Sequence, residues 1–214
     1  MKMIVFDLDG TLVNTVFDIA VAMNKSLTFY GYKTNTVEDY ISFLGQGALV
    51  LTKKAMNDPN ASSELVQEVL NRYNDYYAMA ATTYSKPYDN IIEVLETLKN
   101  RGYLLGVISN KPDRETQIIV NHFFPNIFDY VTGAKPEVKR KPDPESMHIL
   151  MKKFDLELKD ITYVGDSHFD AMFSENSMCD YFLFEYGYDK TEVIHEYHPK
   201  AFLNEKKDLL KYFN

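Results

Sequence analysis

Short apolar runs alternate along the chain with stretches whose apolar residues recur every three to four positions. The runs at 3–6, 104–108, 130–132, 161–164, 181–184 and, more weakly, 201–203 predict strands, because they are brief and rich in β-branched and aromatic residues. Between them, residues 88–101 place Ile91, Leu95 and Leu98 on one helical face and stop at Gly102, a residue suited to the position after a helix C-terminus. Residues 113–123, 143–154 and 168–178 predict further helices, and 205–213 a closing one. Strand–helix alternation of this kind predicts an α/β fold with a parallel sheet covered on both faces.

One segment breaks the rhythm. From Asn14 to about Thr83 no convincing strand is present. Val16, Ala20, Met23, Leu27 and Tyr30 follow one helical stripe. Val66, Val69, Leu70, Tyr73 and Tyr77 follow another, after Ser62 and Ser63 as N-cap candidates. The aromatic members of these stripes read as core. The predicted organisation is therefore a discontinuous core, 1–13 and 84–214, with a helical insertion at 14–83.

Chemistry collects at the strand ends. The first strand runs into Asp7-Leu8-Asp9-Gly10-Thr11. Residues two apart on a strand point the same way, and like charges about 4 Å apart repel by about 4 kcal/mol at an effective dielectric near 20. Such a pair calls for a bound cation, a shared proton, or both. The second strand ends in Ser109-Asn110-Lys111, and Lys135 and Lys139-Arg140-Lys141-Pro142 follow the third. The fourth ends in Gly165-Asp166-Ser167-His168-Phe169-Asp170. Each group alone is a common turn or cap sequence. Their succession matters because ligands of open parallel sheets gather at the carboxyl ends of the strands.

These four motifs, in order and over nearly the whole chain, resemble the haloacid dehalogenase-like hydrolases, in the phosphoglycolate phosphatase-like subgroup with a helical cap inserted after the first strand. The resemblance implies a Rossmann-like core, Mg²⁺ and an aspartyl-phosphate intermediate. It implies Asp7 as the nucleophile and Asp9 as the general acid and base, with Thr11 and Ser109, beside Asn110, binding the phosphoryl oxygens. Lys141 supplies fixed positive charge. The metal ligands implied are Asp7, the main-chain carbonyl of Asp9, Asp166 and Asp170. Three carboxylates and a phosphate in one cleft need a cation, and oxygen ligands suit Mg²⁺. Gly45 and Gly47 of the cap correspond to a glycine pair that approaches the cleft in such proteins. Lys53 and Lys54 of the cap, and His168, are weaker candidates and read first as solvated positions. The chain departs from the pattern at Asn14-Thr15, where many relatives carry an acid and a Ser, and at 171–177, which lacks a small Ala-Gly ending.

Composition narrows the rest. With 45% hydrophobic residues in 214, the chain can build a sizeable core. A net charge of −8 argues against a nucleic-acid or anionic-membrane partner. One cysteine, Cys179, excludes an internal disulfide and fits a reducing compartment. No run approaches the ~20 apolar residues of a membrane span, and the first strand is too motif-bearing to be a removable signal. A cytoplasmic enzyme acting on a small phosphorylated metabolite is the expectation. The alternatives kept open are a sugar phosphomutase, whose relatives carry an early His and aromatic signature in the first helix of the insertion that Ile19-Ala20-Val21-Ala22-Met23-Asn24 lacks, and a phosphoacceptor module, against which the second acid, Asp9, and the large insertion favour turnover.

Overall fold

A computed structural model describes residues 2–214. Its centre is a six-stranded sheet in the order β5-β4-β1-β6-β7-β8, with every pair parallel. The strands are β1 (Met3–Phe6), β4 (Leu104–Pro112), β5 (Tyr130–Ala134), β6 (Ile161–Gly165), β7 (Asp180–Phe184) and β8 (Ala201–Leu203). All four residues of β1 are buried, as a strand with helices on both faces requires. Ile4 and Phe6 join one hydrophobic cluster, while Met3 and Val5 join the other. This period-two division shows the sheet separating two cores.

Strand order reverses at β1, which lies between β4 and β6. Such a reversal opens a crevice at the carboxyl ends of the flanking strands. The chain stays attached there, since Asp7 N donates to Val164 O at 2.9 Å. It then turns through Gly10 at φ 89° and returns by bonds from Leu12 N and Val13 N to Leu8 O, both 3.0 Å.

The chain next leaves the sheet through β2 (Val13–Asn14) and comes back through β3 (Lys86–Pro87), which pair antiparallel. Between them lie four helices, α1 (Val16–Phe29), α2 (Val37–Phe43), α3 (Ala48–Met56) and α4 (Ser63–Ala80). Ile19, Met23 and Leu27 of α1 are buried, as are Val66, Val69, Tyr73 and Tyr77 of α4. Ser62 caps α4 by accepting from Leu65 N at 3.2 Å. Asp18, buried at the start of α1, accepts from Tyr84 N at 3.0 Å, Ser85 N at 2.7 Å and Ser85 Oγ at 2.6 Å. One carboxylate thus ties the outgoing helix to the returning strand.

The remaining helices are α5 (Ile91–Asn100), α6 (Asp113–Phe123), α7 (Glu145–Phe154), α8 (His168–Ser177) and α9 (Thr191–Ile194). At the end of α5, Gly102 N bonds Lys99 O at 2.9 Å and Tyr103 N bonds Leu98 O at 3.2 Å. With Gly102 at φ 86°, this is the paired closure that glycine makes possible. Two helices start later than the sequence pattern predicts. Asn90 sits in a left-handed turn before α5, and Pro144 precedes α7. The expected closing helix is instead a short 3₁₀ run, Lys206–Lys211. Only Leu209 and Phe213 of 205–213 are buried, too narrow a stripe to hold a longer α-helix. No helix among the described residues is long and apolar enough to cross a membrane.

Candidate active site

β4 extends past Ile108 to Pro112 through a register irregularity against β5. That extension carries Ser109, Asn110 and Lys111, all buried, into the crevice beside β1. Ser167 caps α8 in a reciprocal box with Asp170, and this helix start delivers Asp166 and Asp170 to the same place. The crevice is lined by Asp7, Asp9, Ser109, Asn110, Lys111, Lys141 and Asp166 from the sheet side, and by Gly45 and Gly47 from the loop between α2 and α3.

One carboxylate oxygen each from Asp7, Asp166 and Asp170 converges to within 4.8 Å. All three residues are buried. The cation among them is Lys141, whose Nζ lies 2.9 Å from Asp7 Oδ1 and 2.7 Å from Asp170 Oδ1. It also reaches the Tyr163 hydroxyl at 2.9 Å. Three acids against one ammonium cannot all stay ionised cheaply. Burial, and then the like charges of Asp170 and Asp9, push Asp7 up to about 6 against the pull of Lys141. Burial and the charges of Asp170 and Asp7 hold Asp166 well above the ordinary carboxylate range. Burial would raise Asp170 as well, but the charge and hydrogen bond of Lys141 and the bonds from Ser167 and Asp166 N outweigh it, and its carboxyl is lowered. For Lys141 itself, burial is outweighed by Asp170 and Asp7, which raise it.

The structure departs from several sequence expectations. β1 ends at Phe6, so Asp7 and Asp9 do not stand on the strand as the two-residue repeat predicts, although the charge of Asp9 still raises Asp7. Each acid has its own lysine. Asp9 receives Lys111 Nζ at 3.1 and 3.0 Å and the Thr15 hydroxyl at 2.6 Å. The like charge that acts most on Asp7 is Asp170, with Asp9 behind it. The Asp9 side chain also stands outside the carboxylate cluster. Thr11, expected to meet phosphate, is fully buried and donates to Asp166 Oδ1 at 2.5 Å. Asn110 Nδ2 donates to Gly45 O at 2.9 Å and Lys141 O at 3.0 Å, so its amide ties the helical insertion to the sheet.

The two glycines of the helical insertion stand at φ 95° (Gly45) and 87° (Gly47), and a Cβ would lie 2.6 Å from the Phe169 ring in one and 2.5 Å from Arg140 in the other. Both positions need glycine for backbone conformation and for space. Lys53 and Lys54 do not line the crevice; Lys54 reaches Ser42 O at 3.4 Å on the surface. His168 does not line it either. Its Nδ1 lies 2.5 Å from Asp189 Oδ2, and the hydrogen bond with Asp189 raises its pKa against the opposing effect of partial burial.

Several participants carry no signal in the sequence. Tyr188 N donates to Asp166 Oδ2 at 2.8 Å, while its hydroxyl accepts from Thr15 N at 2.7 Å and Val16 N at 3.1 Å. This phenol takes the place of a side-chain cap on α1, which has none, and leaves the Thr15 hydroxyl for Asp9. Gly187 lies so close to Asp166 that a Cβ would stand 2.2 Å from it. Lys111 is the exception, since a lysine directly after an apolar strand and Ser-Asn is already unusual.

A six-stranded parallel sheet with this strand order and an acid-lined crevice at its switch point defines a Rossmann-like α/β core. The model of the haloacid dehalogenase-like hydrolases matches residues 4–184, and the chain belongs to that family. Within it, the chain is similar to phosphoglycolate phosphatases. It is 32% identical to the one from Mannheimia succiniciproducens, over 98% of this chain and 97% of that protein. It is 32% identical to the one from Haemophilus influenzae, with 98% and 96% covered. A crystal structure described as a predicted phosphoglycolate phosphatase from Haemophilus somnus superposes with a TM-score of 0.94 at 30% identity, covering 100% of this chain and 98% of that one.

Proposed function

We propose that this chain hydrolyses a small phosphate monoester through an aspartyl-phosphate on Asp7, with Mg²⁺ in the carboxylate cluster and residues 14–83 acting as a cap. The observation that carries this reading is the convergence of the Asp7, Asp166 and Asp170 carboxylates on one another in the crevice, with Lys141 paired to Asp7 and Asp170.

The residues fit a divalent cation. Asp7 Oδ1 is buried and in charge contact with Lys141, yet it accepts no aligned hydrogen bond, which leaves lone pairs for an electrophile. All the donors are carboxylates, the oxygen chemistry that Mg²⁺ takes. Asp7 and Asp166 would hold the ion, with Asp170 beside them. Bound there, it would neutralise the acids and polarise the phosphoryl oxygens.

In the first step a carboxylate oxygen of Asp7 bonds to phosphorus as the bond from phosphorus to the leaving oxygen breaks. Asp9 gives a proton to that oxygen. In the second, Asp9 takes a proton from water, the water oxygen bonds to phosphorus, and the bond to Asp7 breaks. Lys141 holds Asp7 in place and faces the charge on the phosphoryl group. Ser109 lines the same crevice and offers a hydroxyl to the phosphoryl oxygens. The relatives named above make 2-phosphoglycolate the first compound to try. Phosphate release from a panel of small esters, with Mg²⁺ and with chelator, tests the reading; no release from any ester with Mg²⁺ present removes it.

Two further results are expected of the metal site. Asp7 is raised to about 6 and Asp166 is raised well above the ordinary carboxylate range in the folded chain, so from about pH 4 up through at least about pH 6 the folded state binds more protons than the unfolded one. In chelator, their contribution to stability is greatest at low pH and is lost as pH rises through that window. The Mg²⁺-induced rise in Tm should then be larger at pH 7.5 than at pH 5, because protons no longer compete for the ligands. Equal rises at both values would count against the site. Gly187→Ala, by displacing Asp166, should weaken Mg²⁺ about 10- to 100-fold, read from the midpoint of a Mg²⁺ titration followed by thermal shift.

A further inference from the structure

Lys111 has no role in the steps above, yet it is as buried as Lys141, with a side chain 3% exposed. Its ammonium lies against both oxygens of Asp9 at 3.1 and 3.0 Å and 4.5 Å from the centre of the Tyr77 ring. Among the described residues, Asp9 is the one carboxylate in ion-pair contact with it. This creates a conflict. Asp9 must turn its oxygens to the leaving oxygen of the ester, and those oxygens are engaged by Lys111. An ammonium this deeply buried, left with a ring face alone, is strongly disfavoured.

The far wall of the crevice offers no other charge. It is built from Ile41, Leu44, Ala48, Leu51 and Tyr73 of the helical insertion. The cavity is small, about 70 Å³, which suits a leaving group of a few heavy atoms. Lys141 is already committed to Asp7 and Asp170. Lys111 is therefore the cation in the crevice that remains for the leaving group.

We infer that Lys111 is the specificity-determining residue for the leaving group, and that it pairs with a carboxylate carried one or two carbons from the ester oxygen. This rests on the phosphatase reading and names what that reading leaves open. The exchange is one of ion-pair partners: the substrate carboxylate takes Lys111, and Asp9 is released toward the leaving oxygen. The leaving oxygen must come within about 3 Å of Asp9, and Asp9 touches Lys111 in the free protein. An anion one carbon from that oxygen thus arrives beside the ammonium. The apolar wall and the small volume of the cavity disfavour bulkier or multiply hydroxylated leaving groups.

The test compares 2-phosphoglycolate with 2-hydroxyethyl phosphate, which replaces the carboxylate by a neutral hydroxymethyl group of similar size. The quantity read is the ratio of kcat/KM for the two esters. Wild type should favour the carboxylate, and Lys111→Met should lower the ratio about 10- to 100-fold. Lys111→Arg, which keeps the charge, should retain more of the ratio than Met does. Lys54→Ala, outside the crevice, should leave the ratio alone. A folded Lys111→Met protein whose ratio moves less than about threefold overturns the inference. Binding of glycolate, followed by ligand-observed NMR, gives a second readout that needs no turnover. It should be seen with wild type and lost in Lys111→Met; equal binding by both also overturns it. If wild type hydrolyses no ester of the wider panel, the phosphatase reading falls, and the glycolate result still decides whether Lys111 is the carboxylate site.

Discussion

Asp7→Asn abolishes turnover on every phosphate ester, a loss of at least about 10⁴-fold, while the protein becomes more stable in chelator. The two effects have one origin. The carboxamide is neutral and a poor nucleophile, so no bond to phosphorus forms and the covalent route is closed. It also removes one of three clustered buried acids, two of which, Asp7 and Asp170, share the single ammonium of Lys141, and burial already disfavours ionisation of Asp7. The shape is conserved, so packing does not change. A rise in Tm without metal, together with lost phosphate release, assigns the loss to chemistry and not to misfolding. Asp9→Asn makes the contrast: the nucleophile survives, and the rate falls about 10²- to 10⁴-fold, as removal of a general acid does. Near-wild-type activity in a pure Asp7→Asn preparation would remove the mechanism.

The fold was legible where the pattern was local. β1 reads as an unbroken apolar run because both of its faces are covered, and α5 announces its end with Gly102. The helical insertion is visible as a block of three-to-four periodicity without a strand. The order of motifs at the strand ends also puts Asp7, Ser109, Lys141, Asp166 and Asp170 at one edge of the sheet. The contacts that connect those residues were not legible. Thr11 supports Asp166 across 155 residues of chain, and the Tyr188 hydroxyl meets Thr15 across 173. Nothing local marks a tyrosine as the cap of a distant helix, or Gly187 as the clearance for a carboxylate. The division of the lysines was hidden for another reason. Alternation along a strand predicts Asp7 and Asp9 side by side, but it does not say where the strand stops. Because β1 stops at Phe6, Asp7 takes Lys141 and Asp9 takes Lys111.

That division makes Lys141 the most exposed point of failure in the design. Lys141→Met keeps the length of the stem but removes the charge, and leaves Asp7 and Asp170 buried with no cation. Removing one partner of a buried ion pair costs roughly 3–5 kcal/mol, and here two carboxylates lose the same partner. The Tyr163 hydroxyl also loses a contact with the Nζ, though it keeps its bond to Ile108 O at 3.0 Å. Metal-free Lys141→Met should unfold well below wild type at pH 7.5. The deficit should shrink toward pH 5, where the acids can take protons instead of the lysine. Mg²⁺ should restore much of the stability, since a cation in the cluster does the neutralising that Lys141 did. It should not restore the activity, because the charge that faces the transferring phosphoryl group is gone; a loss of about 10²- to 10³-fold or more in kcat is expected at saturating Mg²⁺. Stability and rate thus part company in this variant. A Lys141→Met protein that Mg²⁺ returns to wild-type turnover would show that the lysine only balances charge, and its catalytic role would have to be given up.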